Sequence, residues 1–460
     1  MPESEYSRRE FLKRNSIAGL GVLLGTGVTP SLLANTLTDT GTPAILGGKP
    51  ALMGDWPKWP MWNAETDEKV LLEVVRSGVW SRNNTVNEFE KKWAQAVGAK
   101  RCLMVVNGTN ALIVALTQFN IGAGDEVIMS PYTFIAAAQA VLATGAMPIF
   151  VDTDPETFQI DTTKIEAKIT SQTRAIMPVH LAGLPADMFR IMEIAKKHDL
   201  IVVEDACQAH LAEINHQKVG TLGHAGCFSF QNSKNLPIGE GGAIVSNNEE
   251  FMDRCYSYHN FGNPFGSVSG GLHTATVIKG TKLRLTEYQA AIGLAQLIRL
   301  EAQTTTRTEN AEYLKSLLQN IPGIIPYKLC PNVTRAVFHL FPFRYKKEAF
   351  QGLSRTGFMA ALEAEGVPCS SGYPTLNNMP YLNDAFKSKN YVKSYSKEML
   401  DYNRYLEQNK CPENDRLCNE EAVWFTQNML LAGKPEMDGI FSAIQKIHNT
   451  ADKIKKAPAK

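Results

Sequence analysis

The sequence predicts an α/β fold: a mostly parallel sheet covered by helices on both faces, followed by a smaller α+β domain. Three observations carry that expectation. From about residue 61 to about residue 300, short apolar runs of strand length alternate with helical stretches. The residues with chemical potential fall in turns that follow those runs, where open parallel sheets bind ligands. Beyond about residue 320 the pattern shifts to mixed strands and helices with more aromatics and prolines.

Taken in order, residues 35–60 read as a Gly/Pro/Thr-rich connector, 61–305 as the large domain and 306–455 as the small one. Strands are expected at 101–106, 126–130, 147–151, 175–179, 201–204 and 227–230, with helices at 110–118 and 185–197 between them. A long helix covers 286–318, where Ile292, Leu294, Leu297 and Leu300 recur at helical spacing. A strand at 339–345 and a helix at 352–365 follow. The Lys-rich stretch after Lys453 reads as a frayed tail.

Composition narrows the function. Hydrophobic residues make up 44% and charged residues 20%, with 47 basic against 46 acidic side chains. That balance gives no electrostatic reason to bind nucleic acid or an anionic membrane and favours a small-molecule ligand. At the N-terminus, Ser7-Arg8-Arg9-Glu10-Phe11-Leu12-Lys13 precedes a weakly apolar run over residues 16–34, interrupted by four glycines and Pro30. Such a run makes a poor permanent membrane helix but resembles a twin-arginine export signal, which implies an exported, periplasmic enzyme; the alternative is a basic frayed terminus on a cytoplasmic one. Of the eight cysteines, Cys102, Cys207 and Cys227 read as core residues, and an oxidising compartment would permit a Cys411–Cys418 disulfide. No C-x-x-C pair points to zinc, and no histidine spacing points to another metal.

Three segments carry chemistry. Val105-Val106-Asn107-Gly108-Thr109-Asn110 runs from strand to helix, and the amides of such a start, with the Thr109 hydroxyl, form an anion site that glycine lets a phosphate approach. On its own the segment is also an ordinary turn and cap. Ile201-Val202-Val203-Glu204-Asp205 is an apolar strand ending in a carboxylate, either a ligand group or a helix cap. Phe228-Ser229-Phe230-Gln231-Asn232-Ser233-Lys234 places a lysine after an apolar strand and before Gly239-Glu240-Gly241-Gly242. Lysines usually sit on solvated faces, but one enclosed by apolar strands loses its proton and becomes a nucleophilic amine. Phosphate cradle, carboxylate and lysine together are what pyridoxal phosphate requires. Lys234 would hold its aldehyde carbon, Asp205 would keep its ring nitrogen protonated, and Gly108, Thr109 and Ser229 would hold its phosphate.

These segments, with Gly78-Val79-Trp80-Ser81, Phe89-Glu90, Tyr132-Thr133-Phe134, Pro178-Val179-His180, Gln208-Ala209-His210 and Arg284-Leu285-Thr286-Glu287 in that order, resemble the DegT/DnrJ/EryC1/StrS family of sugar aminotransferases from about residue 46 to 447. The resemblance implies the fold of type I pyridoxal-phosphate-dependent transferases, with a seven-stranded sheet, and a homodimer with its site at the subunit interface. It implies that Phe134 stacks on the cofactor ring, Gln208 lies near the ring hydroxyl, and Lys282 reaches the neighbouring subunit's cofactor phosphate. His180 and Tyr373 are expected to meet substrate. Two departures stand out: Lys282 where many members have Asn, and Leu211 where Gly is usual.

The activity implied is transfer of an amino group from glutamate or glutamine to a keto group of a sugar or cyclitol. Phe228-Ser229-Phe230-Gln231-Asn232, Met177-Pro178-Val179-His180 and Val423-Trp424-Phe425 resemble the branch of cyclitol aminotransferases and aminohydroxybenzoate synthases more than the nucleotide-sugar branch. Two rivals are a sugar dehydratase of the same family, whose members replace the lysine with histidine, and a non-catalytic carbohydrate-binding or regulatory protein. Lys234 speaks against the first, and Lys234 with Asp205 against the second.

Overall fold

The computed structural model describes residues 41–270 and 276–457; the twin-arginine segment lies outside the described residues. Helices α1 (Ala64–Ser77) and α2 (Asn84–Val97) lead into a seven-stranded sheet. Its strands are β1 (Arg101–Val105), β2 (Glu126–Met129), β3 (Met147–Phe150), β4 (Thr173–Met177), β5 (Ile201–Asp205), β6 (Ala225–Ser229) and β7 (Gly242–Ser246). Between and after them lie α3 (Gly108–Gln118), α4 (Ala136–Thr144), α5 (Met188–His198) and α6 (Glu249–His259). The spatial order is β1-β7-β6-β5-β4-β2-β3.

Only β7 runs against its neighbours; the pairs from β6 across to β3 are parallel. The reversal lies in the connection. The connection from β6 to β7 holds no crossover helix, and the chain turns back beside β6. Strands β2, β6 and β7 are buried at every position, as a sheet covered on both faces demands. The mostly parallel seven-stranded architecture expected from sequence is the one observed.

Helix α7 (Glu287–Leu318) is 32 residues long and opens with a capping box between Thr286 and Gln289. It runs through the position where the sequence suggested a domain boundary. Its first half packs with Phe89 and Trp93 against the large sheet, through Ala290 and Leu300. Its second half, through Ala311, Leu314 and Leu318, enters a second core. That core surrounds a three-stranded antiparallel sheet of β8 (Ile324–Pro326), β9 (Leu340–Tyr345) and β10 (Ala422–Thr426), covered by α8 (Arg355–Ala364) and α9 (Lys434–Lys456). One rigid helix therefore forms a wall of both cores.

Two segments cross between these layers. Residues 376–411 leave the small sheet, and Leu382, Phe386, Tyr391 and Tyr405 enter the core of the large one. Tyr391 donates to the Ala146 carbonyl at 2.6 Å and Tyr405 to that of Pro148 at 2.6 Å, which covers the edge beside β3. At the other end, the stretch read as a connector packs Ile45, Leu46, Leu52 and Trp56 on the small-sheet core. The buried Glu365 carboxylate fastens it, accepting the amides of Ala44 and Ala51 at 2.7 Å each and the Lys446 ammonium at 2.9 Å.

All eight cysteines are free, Cys411 and Cys418 among them, so the disulfide considered from sequence is not formed. Cys411 belongs to the large core and Cys418 to the small one. Cys227 is buried, while Cys102 and Cys207 are partly open. Among the described residues no helix is long and apolar enough to cross a membrane.

Candidate active site

Strand β5 ends in two adjacent carboxylates, and successive strand residues face opposite sides of a sheet. Glu204 faces inward and is fully buried. It accepts the amides of Gly220 (2.7 Å), Leu222 (2.8 Å) and Gly223 (2.6 Å). His180 completes the set. Its Nδ1 accepts the Ala186 amide at 3.1 Å, so the ring proton sits on Nε2 and is donated to Glu204 at 3.0 Å. His180 was expected to meet substrate; the structure corrects this, because the ring is fully buried and holds Glu204.

Asp205 faces the other way, into a cavity of about 490 Å³. Gly108, Thr109, Phe134, Gln208, Ser229, Lys234 and Tyr373 line the same cavity, so eight of the ten residues singled out from sequence meet there. Lys282 does not. It is exposed and bridges by its backbone to Asn260.

The floor is built from strand ends. Asn107 caps α3, taking the Asn110 amide on its side chain at 2.9 Å and the Ala111 amide on its carbonyl at 3.1 Å. The amides of Gly108 and Thr109 are left at the open end of the helix, facing the cavity. Position 108 must be glycine, since a Cβ there would lie 2.7 Å from Ser229 Cβ and 2.8 Å from Cys207 Sγ. Gly242 is under the same constraint, with Asn107's carbonyl carbon 2.3 Å from where a Cβ would stand.

Lys234 sits on a loop pinned at several points. The amides of Phe230, Asn232 and Lys234 donate to the carbonyls of Gly241, Gly239 and Gln231 at 2.8, 2.9 and 2.8 Å. Asn235 donates to the Val337 carbonyl at 2.9 Å, and Leu236 and Ile238 are buried behind the lysine. Burial lowers the Lys234 ammonium below the ordinary lysine value, and the negative ends of Cys207 and Asp205 only partly restore it. Burial raises Asp205 in turn, against the Cys207 amide at 3.1 Å and the charge of Lys234. An amine tending to neutrality and a carboxyl lacking a full cationic partner share one enclosed space.

The walls are oriented as firmly. Gln208 Oε1 accepts the Ala182 amide at 2.8 Å, which leaves its Nε2 to donate to Tyr373 Oη at 3.1 Å. The Tyr373 ring packs edge-on against Trp424 at 4.7 Å and lies 6.4 Å from Phe134, which is 55% exposed at the mouth. Behind Ser229, His210 donates from Nε2 to the Ser229 carbonyl at 2.9 Å and packs among Trp93, Phe228 and Phe230. Burial, followed by the Lys234 charge, holds His210 down to about 3.

Sequence reasoning missed His339, Glu240 and Cys207 as cavity residues. His339 precedes β9 and was read only as the start of a strand. It is buried, its Nδ1 has no hydrogen-bond partner among the described residues, and burial with Lys234, His210 and Arg307 nearby pushes it far below the ordinary histidine value. No local signal marks it, because it reaches the cavity from more than a hundred residues away.

Comparison with known proteins agrees with this arrangement. The sequence model of the DegT/DnrJ/EryC1/StrS aminotransferase family matches residues 62–403. The L-glutamine:2-deoxy-scyllo-inosose aminotransferase of Streptomyces kanamyceticus is 32% identical over 426 residues, 89% of this chain and 96% of that protein. The spore coat polysaccharide biosynthesis protein SpsC of Bacillus subtilis (strain 168) is 36% identical over 337 residues, 72% of this chain and 86% of its own. The crystal structure of 3-amino-5-hydroxybenzoic acid synthase superposes with a TM-score of 0.75 at 31% identity, covering 87% of this chain and 99% of that one.

The buried histidines set a pH dependence. An unfolded chain takes up a proton at His210 below about 6.5, whereas the folded protein resists it down to about 3. Stability is therefore full above pH 6.5 and is lost as pH falls toward the folded value. His259, held to about 4 by burial, adds to the same slope. Thermal melts followed by circular dichroism from pH 7 to pH 4.5 should show a falling midpoint. His210→Gln, which keeps a donor for Ser229 but does not titrate, should show a shallower fall.

Proposed function

The chain belongs to the DegT/DnrJ/EryC1/StrS aminotransferase family and is an aminotransferase; from that premise we propose that it works through pyridoxal phosphate held on Lys234, moving an amino group from glutamine or glutamate to a ring ketone of a cyclitol or sugar. The observation that carries this reading is the convergence of Lys234 and Asp205, perturbed in opposite directions, on one cavity floored by a helix start.

The residues fit the cofactor. A phosphate matches the Gly108 and Thr109 amides with the Thr109 and Ser229 hydroxyls, in a cradle that a side chain at position 108 would fill. A protonated ring nitrogen would supply the cation that the raised Asp205 carboxyl lacks. Gln208 offers an N–H donor, and Phe134 a flat apolar face at the mouth. When bound, the cofactor supplies an aldehyde that holds an amine and a ring that withdraws electrons from the carbon bearing that amine.

The rest falls to the protein. Lys234 Nζ, its ammonium disfavoured by burial, would hold the cofactor's aldehyde carbon and, when free, would take and return a proton. Asp205 would keep the charge on the cofactor's ring nitrogen. Tyr373 and Gln208, already bonded to each other, fix one wall against which the second substrate is oriented. The relative that acts on 2-deoxy-scyllo-inosose with glutamine supports a cyclitol ketone and a glutamine donor.

Adding pyridoxal phosphate to the purified protein should produce a near-visible absorbance band that collapses when glutamine or glutamate is added. Lys234→Ala should lack the band. Asp205→Asn should keep it but collapse at least a hundredfold more slowly, the loss expected when the ring nitrogen loses its charge partner. A wild-type band that no amino donor moves would sink the proposal.

We also propose a homodimer in which Lys282 serves the neighbouring subunit's phosphate. Its position away from its own chain's cavity supports this, as does the exposure of Trp80, Phe261 and Ile298. Lys234→Ala and Lys282→Ala variants, each impaired alone, should on unfolding and co-refolding regain about a quarter of the wild-type rate, because half the dimers then carry one intact site. No recovery would refute the shared site.

Export through the twin-arginine pathway is the proposed destination, supported by Arg8-Arg9 and the weakly apolar run behind them. Fractionation of cells expressing the full chain should find it in the periplasm, and an Arg8→Lys, Arg9→Lys double variant in the cytoplasm. An unchanged distribution would overturn export.

A further inference from the structure

The segment before the family match, residues 44–61, is more than a lead-in. It is fastened to the small-sheet core through Glu365 and through Trp56, whose indole donates to the Gly366 carbonyl at 3.0 Å. Asn428, just past β10, donates to the Pro57 carbonyl at 2.9 Å. Two residues later the strap reaches the active site. The Trp59 indole N–H donates at 3.2 Å to the main-chain carbonyl of Lys234 itself.

Trp59 is held by an unusual neighbour. Its ring lies 4.9 Å from the guanidinium of Arg307, a fully buried cation on α7. Among the described residues Arg307 bonds only to neutral oxygens of Gln427, through Nε at 2.9 Å and Nη2 at 2.6 Å to Oε1, and its Nη1 has no partner. A desolvated cation without a carboxylate gains most from an aromatic face, so the contact fixes the indole and aims its N–H. We infer that Trp59 is a positioning residue for Lys234: clamped on Arg307 and tied to the small-sheet core, it holds the lysine's main chain so that the amine points into the cavity.

The inference rests on Lys234 being the cofactor-bearing residue, but its test does not need the cofactor. The strap supplies its own control, because Trp56 and Trp59 each donate one indole hydrogen bond to a carbonyl and only one of them ends on Lys234. In the cofactor-free protein, competitive amine labelling read by mass spectrometry gives the pH at which Lys234 becomes reactive. Trp59→Phe should raise that midpoint toward the ordinary lysine value, while Trp56→Phe leaves it in place; Trp59→His, which keeps a ring N–H, should restore it. In the loaded enzyme, Trp59→Phe should lower kcat roughly threefold to tenfold with KM unchanged, the size of one neutral hydrogen bond. Equal Lys234 midpoints in Trp59→Phe, Trp56→Phe and wild type would overturn the inference and leave Trp59 a packing residue. A shifted midpoint in a protein that forms no absorbance band would uphold the positioning and fail only the cofactor reading.

Discussion

The carboxylate of Glu204 is the constraint on which the rest of the site depends. A buried charge is tolerated only when its acceptor capacity is filled, and Glu204 is satisfied by three amides of the 220–223 turn and by His180. Those bonds lock the end of β5 to β4's continuation and to the turn that leads into β6. With the strand ends fixed, the two-residue period of β5 leaves Asp205 no choice but the cavity side. The cavity carboxylate is thus aimed by its neighbour in the chain. A buried carboxylate and a cavity-lining one stand side by side because a strand turns adjacent residues to opposite faces.

The cavity's electrostatics follow from depth. Desolvation is the largest influence on Lys234, Asp205, His210 and His339, and it pushes each toward its neutral form. In water Lys234 and Asp205 would both be charged, and a protonated amine does not attack an aldehyde. Here the pinned loop around Lys234 and the aromatic packing around His210 hold them in place. Enclosure alone would collapse; it persists because Gly108 and Gly242 let β1, β6 and β7 approach without filling the space between them.

What was legible in the sequence was what is local. Each of the three chemical segments is a strand followed by its turn, so hydrophobic run and turn residues together disclosed Gly108, Thr109, Asp205, Ser229 and Lys234, and the alternation of runs disclosed the sheet. Phe134 and Gln208 came from resemblance, and both they and the substrate candidate Tyr373 are at the cavity. What was illegible is long-range. His180 stands beside a strand end as Asp205 does, and only the Ala186 amide and the Glu204 carboxylate reveal that its ring is occupied. His339 and Trp59 reach Lys234 from opposite ends of the chain, and nothing in either local pattern differs from a strand start or a proline-rich connector. Likewise, residues 376–411 read as part of the small domain because sequence distance was the guide, yet tyrosines bonded to carbonyls beside β3 fasten them to the large sheet.

These long-range ties share a logic. Helix α7 is a wall of both cores, the 376–411 segment leaves the small sheet to pack in the large core, and the N-terminal strap packs on the small-sheet core and reaches the Lys234 carbonyl. A site built on strand ends gains precision from the rigidity of its sheet, but Lys234 lies on a loop, where the sheet's rigidity runs out. The loop's own turn bonds fix its shape without fixing where the whole loop sits. Bonds from distant elements, Asn235 to Val337 and Trp59 to Lys234, supply that second constraint. The strap is tied to the small-sheet core, and Val337 is flanked by Ala336 and Phe338 of that core, so the position of the Lys234 amine is set by the assembled fold and not by its own segment.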